Sequence, residues 1–299
     1  MTDRAVSDPE TRTSWSSKRP STRRALLRRG AVAVGTGMIA GCVRTRPPRE
    51  GASEPVIIGH RGCAAENPEN TIEAIEAAAG VADAVELDLR RCGTGEIVVF
   101  HDEALDRLTT ERGRVDETSC RTVTELEVDD SGQRIPTLRE AFDATPSDVP
   151  LVLDLKESGL VEDVLSIHAE YDHEVLLSSF RPDVIAEVRA ADPTVPTALI
   201  VRESRPNRAL RPLIPGLPSV AYLPENVTEL VDRAVKSGCE AIHPRYELCL
   251  RTDLVERAHA AGLRVEAWTV TTDEEFEALR TAGVDAVISD VCVTLSGDG

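Results

Sequence analysis

Lysine is almost missing from this chain: among 299 residues only Lys18, Lys156 and Lys236 are lysine, and the other 31 of the 34 basic residues are arginine. A basic surface is missing too. The 52 acidic residues outnumber the basic ones, for a formal net charge of −18 and a pI near 4.8. That balance excludes a nucleic-acid partner, because phosphate backbones select basic patches. The seven cysteines include no Cys-x-x-Cys pair and none beside a histidine at zinc-ligand spacing, which argues against a structural zinc. No apolar run reaches the ~20 residues of a membrane span, and 29% charged residues excludes a multispanning membrane protein. What is present is a 41% hydrophobic content with apolar runs recurring along the chain, enough for a sizeable core and against disorder. The length suits one α/β barrel, which commonly takes roughly 250 residues.

Charge is unevenly spread. Residues 1–41 hold eight basic and three acidic residues, whereas from Cys42 onward 26 basic residues face 49 acidic ones. An acidic, lysine-poor composition points to a protein built for high salt, where screening removes self-repulsion. GC-rich codon usage would explain the arginines but not the acidity. Thr22-Arg23-Arg24-Ala25-Leu26-Leu27-Arg28 resembles a twin-arginine export motif, and Ala31 to Ala40 is too short to span a bilayer, so it reads as a signal segment. Ile39-Ala40-Gly41-Cys42 resembles a lipobox, which implies lipidation of Cys42. The expectation is a signal peptide over 1–41, a flexible tether over 42–54 and an exported protein anchored to the outer face of the cell membrane only through Cys42.

Past the tether, short β-branched runs alternate with helical patterns. Strands are expected at Val56–Gly59, Val85–Leu89, Leu151–Leu155, Val175–Ser179, Thr197–Val201, Glu240–His243, Val265–Val270 and Asp285–Ser289. Helices are expected at Thr71–Ala79, Val161–Ala169, Pro182–Ala190, Val227–Lys236, Thr252–Ala261 and Asp273–Thr281. Such alternation implies a parallel sheet. The run Ile97–His101 lies only seven residues beyond Leu89, too few for a parallel crossover, so it must return as an antiparallel hairpin arm. Eight parallel strands remain, the number that closes a (β/α)8 TIM barrel over 55–295, with 103–136 as an insertion after the hairpin. An open doubly wound sheet is the alternative, but no Gly-x-Gly-x-x-Gly turn follows the first strand.

A barrel of this type builds its active site at the carboxyl ends of its strands. Those ends carry His60-Arg61, Glu86-Leu87-Asp88, His101-Asp102, Asp154-Leu155-Lys156, Ser178-Ser179-Phe180, Trp268-Thr269 and Ser289-Asp290. Glu86 and Asp88, two apart on a strand, share one face. Two buried carboxylates repel unless a cation lies between them, and hard oxygen donors select Mg²⁺ or Ca²⁺, with Asp154 available as a third ligand. His60 and His101 suit acid–base work because histidine titrates near operating pH. His168, His173 and His259 are expected at the surface and His243 behind the site.

Taken together, His60-Arg61-Gly62, Pro68-Glu69-Asn70-Thr71, Glu86-Leu87-Asp88, Val98-Val99-Phe100-His101-Asp102, Ile135-Pro136-Thr137-Leu138, Trp268-Thr269-Val270 and Asp285-Ala286-Val287-Ile288-Ser289-Asp290 resemble the glycerophosphodiester phosphodiesterase family, in order, from about residue 55 to 293. The resemblance implies a divalent-metal enzyme that splits a small-molecule glycerophosphodiester into glycerol 3-phosphate and an alcohol. It implies His60 and His101 as the catalytic pair and Glu86, Asp88 and Asp154 as metal ligands, Asp154 standing where the family usually has Glu. Arg61 and Lys156 match cations that neutralise the phosphodiester, and Phe180 and Trp268 match an aromatic wall near the glycerol. The attacking group it implies is the neighbouring glycerol hydroxyl, giving a cyclic phosphate that water opens.

Two other readings compete. A phospholipase D- or C-like barrel acting on intact lipids would need an apolar rim, whereas the loops after these strands are mostly polar. A solute-binding lipoprotein would need two lobes and no catalytic pair. Cys63 and Cys92 each follow a strand-end motif at the same barrel mouth, which leaves two alternatives open: a disulfide between them, or two unpaired thiols packed as small apolar residues.

Overall fold

A computed structural model describes residues 54–202 and 226–296. The expected leader, Cys42 and all of the tether but Glu54 lie outside the described residues. The strands are β1 (Val56–His60), β2 (Ala84–Arg91), β3 (Ile97–Val99), β4 (Leu151–Leu155), β5 (Val175–Ser179), β6 (Thr197–Val201), β7 (Ala241–Pro244), β8 (Arg264–Val270) and β9 (Ala286–Ser289). Eight of them are parallel neighbours in the order β1, β2, β4, β5, β6, β7, β8, β9, and β9 pairs back onto β1. The barrel is closed, a (β/α)8 TIM barrel. β3 stands apart as the antiparallel arm, with Leu89 opposite Val99 and Arg91 opposite Ile97.

The strands are apolar on both faces, as a sheet covered by helices outside and side chains inside requires: every residue of β4, β5 and β6 is buried. The helices bury one stripe each. In Val227–Lys236, capped by the Asn226 side chain, the buried positions Val227, Leu230, Val231 and Ala234 follow the helical period. Ile72–Val81 begins where the Thr71 hydroxyl accepts the Ala74 N–H, and turns Ala74, Ile75, Ala78 and Ala79 to the barrel. Among the described residues no helix is long and apolar enough to cross a membrane.

The insertion has its own small core, in which Phe100, Leu105, Leu108, Val115, Val123 and Ile135 pack beside Cys92 and Cys120. Its first turn, Leu105–Arg107, is a 3-10 turn lying just after His101-Asp102. The helix expected over 252–261 is present as Leu254–Ala260, and a further short helix that was not expected, Tyr246–Arg251, precedes it.

The partner of Cys63 and the place of His173 differ from the sequence reading. Cys63 pairs with Cys292, not with Cys92: their Cα atoms lie 5.8 Å apart, and Cys92 is a buried free thiol. The register explains this. His60 sits opposite Glu86, and β2 runs on to Arg91 before reaching Cys92, six residues further at about 3.3 Å each. Cys63 meanwhile turns back toward the end of β9, the other neighbour of β1. His173 is buried rather than superficial, with Nε2 2.9 Å from the Thr145 carbonyl and its ring against Phe142.

Candidate active site

The end of β1 enters an unusual turn. Arg61, Gly62 and Cys63 all take left-handed backbone angles, with φ of 51°, 79° and 67°. Gly62 is needed there, since a Cβ would come within 2.6 Å of the Ala74 Cβ. The turn aims the Arg61 N–H at Glu86 Oε2, 2.9 Å away, and lays the guanidinium between Glu69 Oε1 at 2.8 Å and Asp88 Oδ2 at 3.1 Å.

Glu86 and Asp88 point inward from β2, and the pairing of β2 with β4 sets Asp154 directly beside Asp88. All three carboxylates are buried, and each offers an oxygen within 4.8 Å of the others. Lys156 Nζ bridges Asp88 Oδ1 at 2.5 Å and Asp154 Oδ2. Asn70, also left-handed, donates to Asp88 Oδ2 at 2.8 Å. Burial and the neighbouring Asp88 charge push the Glu86 carboxyl up to about 7. Burial and Asp88 likewise raise Asp154 despite Lys156, whereas at Asp88 Lys156 and Arg61 overcome burial and hold it far below the usual range. Three hard oxygen donors that cannot all ionise comfortably, with Asp154 Oδ1 lacking a hydrogen-bond partner, are a donor set that fits a divalent cation.

The two histidines stand beside this cluster with separate supports. His60 Nδ1 lies 2.6 Å from Asp290 Oδ1, and its Nε2 lies 4.0 Å from Glu86. Burial alone would lower its pKa, but the Asp290 hydrogen bond and the Glu86 charge raise it above the ordinary value. His101 Nδ1 lies 2.5 Å from Asp102 Oδ1. Burial, joined by Lys156 and Arg61, holds His101 below the ordinary value.

These groups line one cleft at the carboxyl ends of the strands. His60, Arg61, Glu86, His101, Asp154, Lys156, Phe180 and Trp268 all face it, so every expected site residue within the described chain except Asp88 lines one cavity, and Asp88 is braced just behind. Phe180 and Trp268 meet edge to face, centroids 5.6 Å apart, and the indole N–H donates to the His243 carbonyl at 2.8 Å. His243 lines the cleft as well as supporting it, its Nε2 2.8 Å from buried Glu266. Sequence reasoning gave no role to Glu69, Asn70, Asp102 or Asp290, although all stand in the quoted blocks. It passed over Glu266 and Arg107, which no pattern marked.

The profile of the glycerophosphoryl diester phosphodiesterase family matches residues 60–294. The chain belongs to that family. It is 28% identical over 255 residues to the glycerophosphodiester phosphodiesterase of Caldanaerobacter subterraneus subsp. tengcongensis, covering 80% of this chain and 96% of that protein. It is 29% identical to glycerophosphodiester phosphodiesterase 1 of Bos taurus, over 73% of this chain and 72% of that one. Its fold superposes with a TM-score of 0.67 on an Oleispira antarctica phosphodiesterase solved with the product sn-glycerol-3-phosphate, at 25% identity over 82% of this chain and 97% of that one. The glycerophosphodiester phosphodiesterase of Thermotoga maritima shares the fold at a TM-score of 0.64 and 24% identity, over 83% of this chain and 99% of that one.

Proposed function

We propose that this member of the family hydrolyses glycerophosphodiesters to glycerol 3-phosphate and an alcohol, with a divalent cation and with His60 and His101 as its acid–base pair. The observation that carries this is the mouth itself: two histidines, each fixed by its own carboxylate, flank three converging carboxylates. Glu86, Asp88 and Asp154 would hold one Mg²⁺ or Ca²⁺, whose charge would offset that of the phosphodiester. Arg61 and Lys156 add positive charge on the same side of the cleft. Asp290 and Asp102 each engage the Nδ1 of their histidine, leaving Nε2 as the nitrogen for proton transfer. One histidine takes the proton of the attacking hydroxyl and the other returns a proton to the leaving oxygen. Phe180 and Trp268 offer an apolar wall for the glycerol carbons.

The leader, lipobox and tether carry the further proposal that the protein is exported and anchored to the outer face of the membrane through Cys42. The Cys63–Cys292 disulfide supports that reading, since such bonds persist outside the reducing cytosol. The acidic, lysine-poor composition supports work at high salt. The test is a screen of glycerophosphodiesters in molar salt with Mg²⁺ or Ca²⁺, scored by release of glycerol 3-phosphate. Release is expected. Binding of these compounds without release would favour a solute-binding protein, and cleavage of intact phospholipids to phosphatidic acid or diacylglycerol in place of that release would favour a phospholipase D- or C-like barrel.

A further inference from the structure

We infer that Arg107 is a positioning residue of the active site, tying His101 and Arg61 into one hydrogen-bonded frame although it comes from the insertion rather than from a barrel strand. Its guanidinium faces two carboxylates at once. Nε reaches Asp102 Oδ2 at 2.5 Å, while Nη1 and Nη2 grip Glu69 Oε2 and Oε1 at 3.0 and 2.7 Å. Each carboxylate spends its remaining bond on a group at the cleft. Asp102 Oδ1 holds His101 Nδ1 at 2.5 Å, and Glu69 Oε1 also accepts from Arg61 Nη1 at 2.8 Å. Arg61 continues the frame to Asp88 at 3.1 Å. His101 and Asp88 are thus joined through Asp102, Arg107, Glu69 and Arg61.

An exposed ion pair is ordinarily worth little. This one differs in geometry, because the guanidinium fork is bidentate on Glu69, which is only 12% exposed, and its third nitrogen is committed to Asp102. Without Arg107, Asp102 keeps only its bond to His101 and is free to turn with it, and Glu69 keeps only Arg61. His60 is outside the frame, since Asp290 alone holds its Nδ1. Loss of Arg107 should therefore disturb one histidine and spare the other. Arg114 gives an internal control: it lies in the same insertion and pairs with Glu103 and Asp116, away from the cleft.

The inference rests on the phosphodiesterase reading for its kinetic arm but not for its spectroscopic one. Arg107→Ala should lower kcat about 10- to 100-fold, as removal of an outer support of a site does, with KM changed less than about threefold. Arg107→Lys should recover only part of the loss, because an ammonium cannot span both carboxylates. Arg107→Ala and Asp102→Asn together should cost less than the two separate losses multiplied. Imidazole ¹⁵N NMR should show His101 fixed in one tautomer in the wild type and averaged in the variant, with His60 unchanged. Arg114→Ala should match the wild type in both measurements. If Arg107→Ala does not fold, Arg107→Gln and Arg107→Lys carry the same comparison. Turnover within about twofold of wild type with unchanged His101 signals would overturn the inference. A wild type that releases no glycerol 3-phosphate would instead refute the proposed reaction, and the His101 spectra would still decide the role of Arg107.

Discussion

Removing the Cys63–Cys292 bond should be the most damaging single covalent change available to this barrel. The two cysteines are 229 residues apart and lie just past the paired ends of β1 and β9, where the cylinder closes. The loop that the bond closes therefore contains nearly the whole barrel. In the chain-entropy account, a loop of that length restricts the unfolded ensemble by roughly 5 kcal/mol at 25 °C, the upper end of what disulfides contribute. For a domain of this size each kcal/mol moves the melting temperature by about 2–4 °C, so the loss should be on the order of 10–20 °C. The bond also joins the turn that carries His60 to the loop that carries Asp290. The assay is thermal unfolding by circular dichroism of the Cys63→Ala/Cys292→Ala protein and of reduced wild type, with turnover measured below both transitions. Among the described residues Cys92, Cys120, Cys239 and Cys249 are buried thiols, so alkylating the unfolded protein and locating the label by peptide mapping identifies which pair is oxidised. A double variant melting within about 2 °C of wild type, a shift worth only ~1 kcal/mol, would refute the reasoning.

A chelator should abolish activity, and Mg²⁺ or Ca²⁺ should restore it, because Glu86, Asp88 and Asp154 repel one another without a cation; full turnover in metal-free buffer would exclude that role. His60→Ala and His101→Ala should each lower kcat by ~10²–10⁴-fold while the far-ultraviolet spectrum stays native, and near wild-type turnover in either would remove that residue from acid–base work. Trp15 and Trp268 are the two tryptophans of the sequence, so in protein lacking residues 1–41 glycerol 3-phosphate should change the intrinsic fluorescence saturably. Trp268→Phe should bind it more weakly, because the smaller ring offers less apolar wall and loses the bond to the His243 carbonyl that fixes the indole. An unchanged spectrum at saturating product would place the indole outside the site.

The barrel was legible because its strands are simple objects. Leu151–Leu155 and Thr197–Val201 are buried on both faces, so apart from Asp154 and Thr197 each is an apolar run with no competing period. The hairpin was legible from connection length alone, since seven residues cannot carry a parallel crossover. The helix Leu138–Ala144 went unread although its start is plainly marked. Thr137 and Glu140 form a reciprocal capping box there, but a seven-residue helix shows too few turns of apolar period to stand out. The helix Tyr246–Arg251 went unread for the same reason, since its six residues show less than two turns. The buried His173 was missed for a different reason: its partners, Thr145 and Phe142, lie about one helix-and-strand unit earlier in the chain.

Within the site, what could be read was what strand geometry dictates. Period two puts Glu86 and Asp88 on one face, and adjacency of strands brings Asp154 to the same height. What could not be read were the partners that hold these groups. Asp290 reaches His60 across the seam between the first and last strands, a contact 230 residues apart in sequence. Cys63 pairs across the same seam because three left-handed residues turn it there, and only Gly62 among them advertises that conformation. Arg107 illustrates the limit most sharply. In a segment crowded with Arg, Asp and Glu, nothing in composition separates it from Arg112 or Arg114. Its difference is that the 3-10 turn Leu105–Arg107 begins immediately beyond Asp102, with Leu105 buried as its anchor, and so directs one guanidinium back over the barrel mouth. Residues that do chemistry are constrained in type and could be named from type. Residues that position them are constrained by where the chain returns, which only the folded barrel defines.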